Sequence, residues 1–410
     1  MKILLILYNI LLIALLPLIL PIGYLVALKR KEEKWYFERF GFIVFDKKPD
    51  KTIWIHCASV GEVLSVKSLI EKIKKEMPGY NIAVSTVTAT GKDVALKNLN
   101  ADFIFLLPLE NYFAIKYLTS FLNTKYFLII DTELWPNLIF AAHKNARLIL
   151  VNGRLSERSY PKYKLFKPIF KRLLSNFEHI FAKSKIDAER LADILDSQNN
   201  ISDIGNIKVI NIESSDNNFE FNGKIFLAAS THQGEETFIK SVFEKVKDNF
   251  DHLIIAPRHL NRVKEVFEIF SEPFDTSLLS EDKKTKVIIV DSFGILKNLY
   301  SCAQKVFVGG SVVNVGGHNI YEALIFKKVV AVGKHMQNFT EIFELAKKYN
   351  IVFTVENEND MLEYLKADKF TNADFEGFIA ETKAIAEKPI IEIVNFLKNE
   401  DTDFNTNQNI

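Results

Sequence analysis

Several short segments of this chain carry residue types at spacings that could do chemistry. The first runs from Trp54 to Glu62 (WIHCASVGE). An apolar strand leads into a small-residue turn, and a helix starts at about Glu62. The helix dipole favours an ionised carboxylate in that first turn. A carboxylate placed there, at the carboxyl end of a strand, suits general-base work. A helix-starting glutamate with no further role fits the same spacing. The second segment is Asp131-Thr-Glu-Leu-Trp-Pro136, after the strand Tyr126–Ile130. Two carboxylates beside a Trp suit the binding of hydroxyls. An Asp or Thr cap, with Pro136 in the first helical turn, is the structural alternative.

Three segments of the second half suit an anionic, sugar-bearing ligand. In Ala229–Glu236 (ASTHQGEE), Ser230 and Gln233 fit a capping box, which leaves His232 beside two acids unexplained. In Ala256-Pro-Arg-His259, Arg258 projects at the mouth of the sheet, where a guanidinium grips phosphate bidentately; a surface ion pair is the alternative. In Val306–Leu324, the pairs Gly309-Gly310 and Gly316-Gly317 lead into a helix capped by His318 or Asn319. Glycines admit close approach of the backbone, and a helix start offers N–H groups to an anion. Glu322, one turn in, is placed to accept bonds from ribose hydroxyls. A last segment, Tyr160–Leu174, interleaves Lys162, Lys164, Lys167, Lys171 and Arg172 with aromatic and aliphatic residues. It suits a headgroup surface or a phosphorylated lipid, or else a solvated helix face over a core stripe. There is no zinc-type cluster, no G-x-S-x-G and no P-loop. Asp401-Thr-Asp403 is formally a D-x-D, but no strand precedes it.

The elements that must position these groups follow from the apolar pattern. Strand-like runs are Thr52–Cys57, Asn81–Thr86, Phe103–Leu107, Phe127–Ile130, Leu148–Val151 and His179–Ala182, then Ile225–Ala228, His252–Ala256, Lys286–Val290, Lys305–Val308, Val329–Val332 and Ile351–Phe353. Helical patterns such as Val63–Glu76 lie between them. That alternation predicts parallel sheets covered on both faces. Residues 211–223 (NIESSDNNFEFNG) are polar and aperiodic and read as a linker. The expected architecture is α/β, with two Rossmann-like domains facing a cleft, at residues 29–210 and 224–399, and a loose polar tail at 400–410. Ligands of such sheets sit at the carboxyl ends of the strands.

The chain has 410 residues, with 52 Lys and Arg against 51 Asp and Glu, a balance unlike that of a nucleic-acid-coating protein. Its apolar content of 48% excludes disorder. Cys57 and Cys302 are too few and too far apart for a disulfide framework, so a reducing compartment is expected. Residues 3–28 carry no charge, and Lys29, Arg30, Lys31 and Lys34 follow. A helix needs about 20 such residues to cross a bilayer, and the basic side faces the cytoplasm. Residues 1–28 therefore read as a transmembrane anchor, with Trp35, Tyr36 and Phe37 at headgroup depth. For a cleaved signal peptide the run is too long and the basic cluster is on the wrong side. A monotopic, half-buried helix is the variant that composition leaves open.

Together these segments resemble the bacterial Kdo (3-deoxy-D-manno-octulosonic acid) transferases, inverting sugar transferases of the two-Rossmann GT-B type. The resemblance runs from the anchor to about Glu344 and rests on Ser59-Val-Gly-Glu62, Thr90-Gly91, Leu107-Pro-Leu-Glu-Asn111, Thr132-Glu-Leu-Trp-Pro-Asn137, Asn152–Arg158, Gly205-Asn-Ile-Lys208, Ser230–Glu236, Pro257-Arg-His259, Gly309-Gly-Ser311, Gly316-Gly-His-Asn319 and Asn338-Phe339. It implies the donor CMP-Kdo, a lipid A precursor as acceptor, the cytoplasmic face of the inner membrane, no metal and no cofactor. It implies Glu62 as general base and a second important carboxylate at Glu133. Arg258, Lys208, Ser230, Thr231, Gly309, Gly310, Gly316, Gly317, His318, Asn319 and Glu322 fall at the donor site. Ser59, Gly61, Lys162, Lys164 and Lys167 are expected to face the acceptor. Asp131, Lys92, Ile320, Ala323 and Lys334 depart from the usual family residues. A transferase or epimerase for another nucleotide sugar, or an anchored binding protein without turnover, are the alternatives.

Overall fold

The computed structural model describes residues 2–30, 32, 35–207, 221 and 223–407. Lys208 and nearly all of the expected linker lie outside the described residues. The chain divides into two compact units, Met1–Asn211 with Lys383–Ile410, and Ile212–Thr382.

The first unit holds seven parallel strands: β1 (Thr52–Cys57), β2 (Asn81–Thr86), β3 (Phe103–Leu106), β4 (Thr124–Ile130), β5 (Arg147–Gly153), β6 (Phe177–Ala182) and β7 (Ile201–Asp203). Their order is β3-β2-β1-β4-β5-β6-β7. The second holds β8 (Ile225–Thr231), β9 (His252–Pro257), β10 (Thr276–Leu278), β11 (Val287–Ile289), β12 (Lys305–Val308), β13 (Val330–Val332) and β14 (Val352–Thr354), in the order β10-β11-β9-β8-β12-β13-β14. These strands are buried on both faces, which is why they read as unbroken apolar runs rather than alternating ones. In β1, Ile53, Ile55 and Cys57 join one core while Trp54 joins the other, against Phe105 and Phe127. The first strands of each half are interior, β1 third and β8 fourth of seven, and the strand order reverses beside each, so the loops after them lie at the switch point of each sheet.

Three features depart from the sequence reading. The long helix expected over Val63–Glu76 breaks at Val66 into Val60–Ser65 and Lys67–Glu76. The second domain does not run to residue 399, and residues 400–407 are no loose tail. A helix of 33 residues, Phe375–Asn407, ends the described chain. From Lys383 it belongs to the first unit, where Ile390, Ile393, Val394 and Leu397 complete the core beside Ile53 and Ile55. The spacing i, i+3, i+4, i+7 is an apolar helical stripe, and it continues past Pro389. Its polar end is tied down too: Tyr80 donates to Asp401, Arg147 pairs with Glu400, and Lys398 reaches Glu76 at 2.9 Å.

The third is the amino terminus. Lys2–Arg30 is helical, but Leu5–Leu15 and Pro17–Lys29 are bent by 58°. Pro17 supplies the cause, since it lacks an N–H and its ring clashes with the turn before it. Among the described residues no single helix is long and apolar enough to cross a membrane; this bent pair would qualify only as a pair. Of the expected headgroup aromatics, Tyr36 turns inward, buried against Tyr24 and Phe40, while Phe37 stays exposed.

Candidate functional site

In the first unit the site grows from the carboxyl ends of β1, β4 and β5. The helix Val60–Ser65 opens with Ser59 as its cap. Glu62 is 5% exposed, and its carboxylate folds back onto that cap. Oε2 accepts the Ala58 N–H at 2.7 Å and Oε1 accepts the Ser59 hydroxyl at 2.8 Å. The structural role raised by the sequence is therefore real. It also fixes the carboxylate in place at the end of β1. Gly61 is exposed, and a Cβ there would meet only Ser59 Oγ, at 3.9 Å. The fold itself does not demand this glycine.

Glu133 lies on the loop after β4, the strand beside β1, and accepts the Trp135 indole N–H at 2.5 Å. Neither Asp131 nor Thr132 caps the next helix, Pro136–Ala142, which has Pro136 in its first turn. Asp131 takes a bond from Asn152 at the end of β5, and Thr132 bonds with Arg154. The cap comes instead from Glu110, whose carboxylate accepts the N–H groups of Asn137 and Leu138 at 3.1 and 3.3 Å. Glu110 is buried, which holds its pKa above the usual carboxylate range. Glu110 stands within Leu107–Asn111, and no local pattern in the sequence marks its role, because its partner lies 27 positions away.

The basic segment forms two short helices, Tyr160–Leu165 and Lys167–Leu174. Much of its charge is already answered. Lys164 faces Asp193 at 3.4 Å, and Lys167 and Lys171 face Asp196 at 2.7 and 2.8 Å. Lys167 and Lys171 hold Asp196 down at about 2. Lys162 is exposed, with no ion pair among the described residues. Tyr163, from the same segment, is raised above its ordinary value by burial and by the nearby charge of Glu133.

The second unit's site surrounds Glu235. The expected capping box of Ser230 and Gln233 does not form: the helix Glu235–Val246 starts after Gly234, which is left-handed at φ +96°. Ser230 is itself left-handed, at φ +54°. Thr231 ends β8 fully buried, with no bond to its hydroxyl among the described residues. Glu235 has no exposed surface. Its two oxygens accept the N–H groups of His232 (3.0 Å), Gly310 (2.7 Å), Ser311 (3.0 Å) and Val312 (3.0 Å). These amides satisfy both oxygens of a side chain that burial would otherwise leave unpaired. Gly309 is required here, since a Cβ would lie 2.5 Å from Glu235 Oε2. Glu236, equally buried, takes Arg262 at 2.8 Å.

The Gly310 amide and the two after it are turned inward, onto Glu235. Gly317 N–H is also taken, by Gly310 O at 2.7 Å. The helix expected after Gly316-Gly317 is one turn, Tyr321–Leu324, with no side-chain cap on Ile320. Asn319 accepts the Tyr321 N–H at 3.0 Å, and Glu322 is exposed in that turn rather than one turn further in. Glycine is needed at 316 and 317 for φ values of +102° and +78°. What the loop presents are side chains. His232 and His318 stack with their Nε2 atoms 2.7 Å apart, and His259 stands edge-on to His232. Arg258, one residue before His259, is exposed and makes no ion pair among the described residues. Burial, then the positive neighbours His232, Arg258 and His259, push His318 down to about 4. Among the described residues no three His, Cys, Asp or Glu side chains converge as metal ligands.

The relatives of the chain agree with one another. A family model described as 3-deoxy-D-manno-octulosonic-acid transferase (kdotransferase) matches residues 34–211. The chain is 33% identical to a 3-deoxy-D-manno-octulosonic acid transferase of Haemophilus influenzae, over 87% of this chain and 88% of that one. It is also 33% identical to a bifunctional glycosyltransferase/methyltransferase of Fusobacterium nucleatum, over 88% of this chain; it spans 60% of that longer protein. The fold is shared with a UDP-GlcNAc 2-epimerase of Neisseria meningitidis, at 14% identity and a TM-score of 0.50, over 85% of this chain and all of that one. With two parallel seven-stranded sheets and this relationship along most of its length, the chain belongs to the 3-deoxy-D-manno-octulosonic acid transferase family of glycosyltransferases.

Proposed function

We propose that the protein transfers Kdo, with inversion, from CMP-Kdo to a hydroxyl of a lipid A precursor at the cytoplasmic face of the inner membrane. The observation that carries this reading is Glu62, a buried carboxylate fixed at the carboxyl end of the interior strand β1 beside an exposed glycine. A sugar hydroxyl has a high pKa, so its proton must leave as the new bond forms, and a positioned base contributes ~10²–10⁴-fold. Glu62 takes that proton. Glu133, held by Trp135, orients the acceptor. Ser59, Gly61 and Lys162 contact it; Lys164 and Lys167 do so only by exchanging their aspartate partners for its phosphates.

CMP leaves as a phosphate ester and needs positive charge rather than a strong acid. Arg258, free of ion pairs among the described residues, supplies it, with His318 and Asn319 beside it and Ser230 and Thr231 at the end of β8. Lys208 remains a candidate for the same role. The glycine loop serves by shape, giving room for the donor while Glu235 holds it still. The scheme uses no metal and no cofactor.

The test is mass spectrometry of tetraacylated lipid A precursor incubated with CMP-Kdo and the protein. Kdo-sized increments are expected, and their number gives the count of sugars added. Glu62→Gln should lower the rate ~10²–10⁴-fold with the thermal transition retained, and near-normal turnover would remove Glu62 as the base. Calorimetric titration that finds UDP preferred over CMP would overturn the donor assignment.

A further inference from the structure

Near the start of the amino-terminal helix, Tyr8 and Asn9 are both bound to the rest of the first unit. Tyr8 donates to Glu110 Oε2 at 3.0 Å. Asn9 and Asn137 exchange amide bonds at 2.9 and 3.0 Å. The second half is held as well: Tyr36 donates to Leu20 O, and its ring lies against Gly23 and Tyr24. The face turned away carries Ile6, Leu7, Ile10, Leu11 and Ile13, each between 57% and 62% exposed.

Helix geometry decides what this means. Asn9 precedes Lys29 by about 20 residues, or ~30 Å of helix at ~1.5 Å per residue. That equals the hydrocarbon thickness of a bilayer. If the helix spanned, with the first unit on its basic side, Tyr8 and Asn9 would lie at the far surface, out of reach of Glu110 and Asn137. Instead the 58° bend lays the helix along the unit. An amide left unpaired in hydrocarbon would also be costly, and here the Asn9 amide is answered by Asn137.

We propose that this arm is monotopic: clamped to the first unit through Tyr8 and Asn9, it dips into one leaflet through its Ile/Leu face, and its amino terminus stays on the catalytic side. This rests on the membrane-anchoring reading above. The occupant of the exposed face is the acyl layer of that leaflet. The uncharged run of residues 3–28, followed at once by a basic cluster, matches lipid better than a protein partner. Exposed Leu109 and Phe113, flanking Glu110, extend the apolar surface.

The experiment uses the full chain with an epitope and a protease site ahead of Met1, in sealed inverted vesicles and in spheroplasts. The protein should sediment with the vesicles, and added protease should remove the tag from inverted vesicles only. Removal from spheroplasts alone overturns the proposal while leaving an anchor in place. A protein that stays in the supernatant, alone or as a dimer, overturns the anchoring reading and the proposal with it. The pair Tyr8→Phe, Asn9→Leu should raise the fraction cleaved from the opposite face at least tenfold. Unchanged sidedness would overturn the role given to these two residues.

Discussion

Glu62 shows how one side chain serves structure and chemistry without conflict. Its carboxylate anchors the turn after β1, and the turn in return fixes the carboxylate. Gly61 beside it is the sharper probe, because the fold leaves space for a Cβ there. Gly61→Ala should hold or slightly raise the melting temperature, as alanine favours helix by up to ~1 kcal/mol. It should nevertheless lower kcat/KM for the lipid acceptor. Unchanged kinetics would take Gly61 out of the acceptor surface. Glu235 is the opposite case, a carboxylate with a purely positioning task. Glu235→Ala leaves several buried amides unanswered, each costing ~1–3 kcal/mol. The expected outcome is a loss of about 3 kcal/mol or more in urea unfolding, together with weaker CMP binding by calorimetry. The first of these residues was legible as a carboxylate in a helix's first turn, although the helix begins at Val60, two residues before the expected start, with Ser59 as its cap. Glu235 was legible only as an acid near a helix start. Apart from the His232 N–H, its amides come from a loop about 75 residues later, and no local pattern announces them.

At the level of elements, every apolar run marked as a strand is one, with ends shifted by at most three residues. Continuous Val, Ile, Leu and Phe stretches between small-residue loops leave a buried parallel strand little alternative. The missed strands, β7 and β10, are three-residue edges. Ile201-Ser-Asp203 and Thr276-Ser-Leu278 are too short and too polar to stand out from loops. The helix after Gly316-Gly317 was overestimated, since residues 320–332 carry apolar groups for several reasons other than helix. The last helix was misjudged for a different cause: its partner surface belongs to a core begun some 340 residues earlier, so composition alone marked its end as a tail. Ile393→Ala tests the observed placement. A cavity in that core should cost ~2–5 kcal/mol, and hydrogen exchange should rise in β1 and the helix Lys67–Glu76. Loosening confined to the second unit would contradict the assignment.

For the whole molecule, a buried imidazole in the first unit and a half-buried one in the second set a common acid response. His56, at the end of β1, is driven down to about 4 by burial, as is His318. Above about pH 6.5 both are neutral in folded and unfolded chains and contribute no pH dependence. Between about 6.5 and 4 the unfolded chain binds protons that the folded one refuses. Stability then falls as pH falls through that window. Thermal melts from pH 7.5 to 4.5 should move steadily downward, and His56→Asn with His318→Asn should flatten the slope; an unchanged slope would assign it to carboxylates.

The return of the last helix to the first unit has a consequence for biosynthesis. Residues 383–407 leave the ribosome after residues 212–382 have already emerged. At ~5–20 residues per second, that is a wait on the order of ten seconds or more. Throughout it, the apolar groove that will receive Ile390, Ile393, Val394 and Leu397 stays open, while the second unit has its whole sequence in hand. The nascent chain is thus due to finish folding in the reverse of its order of synthesis, with the portion made first sealed last.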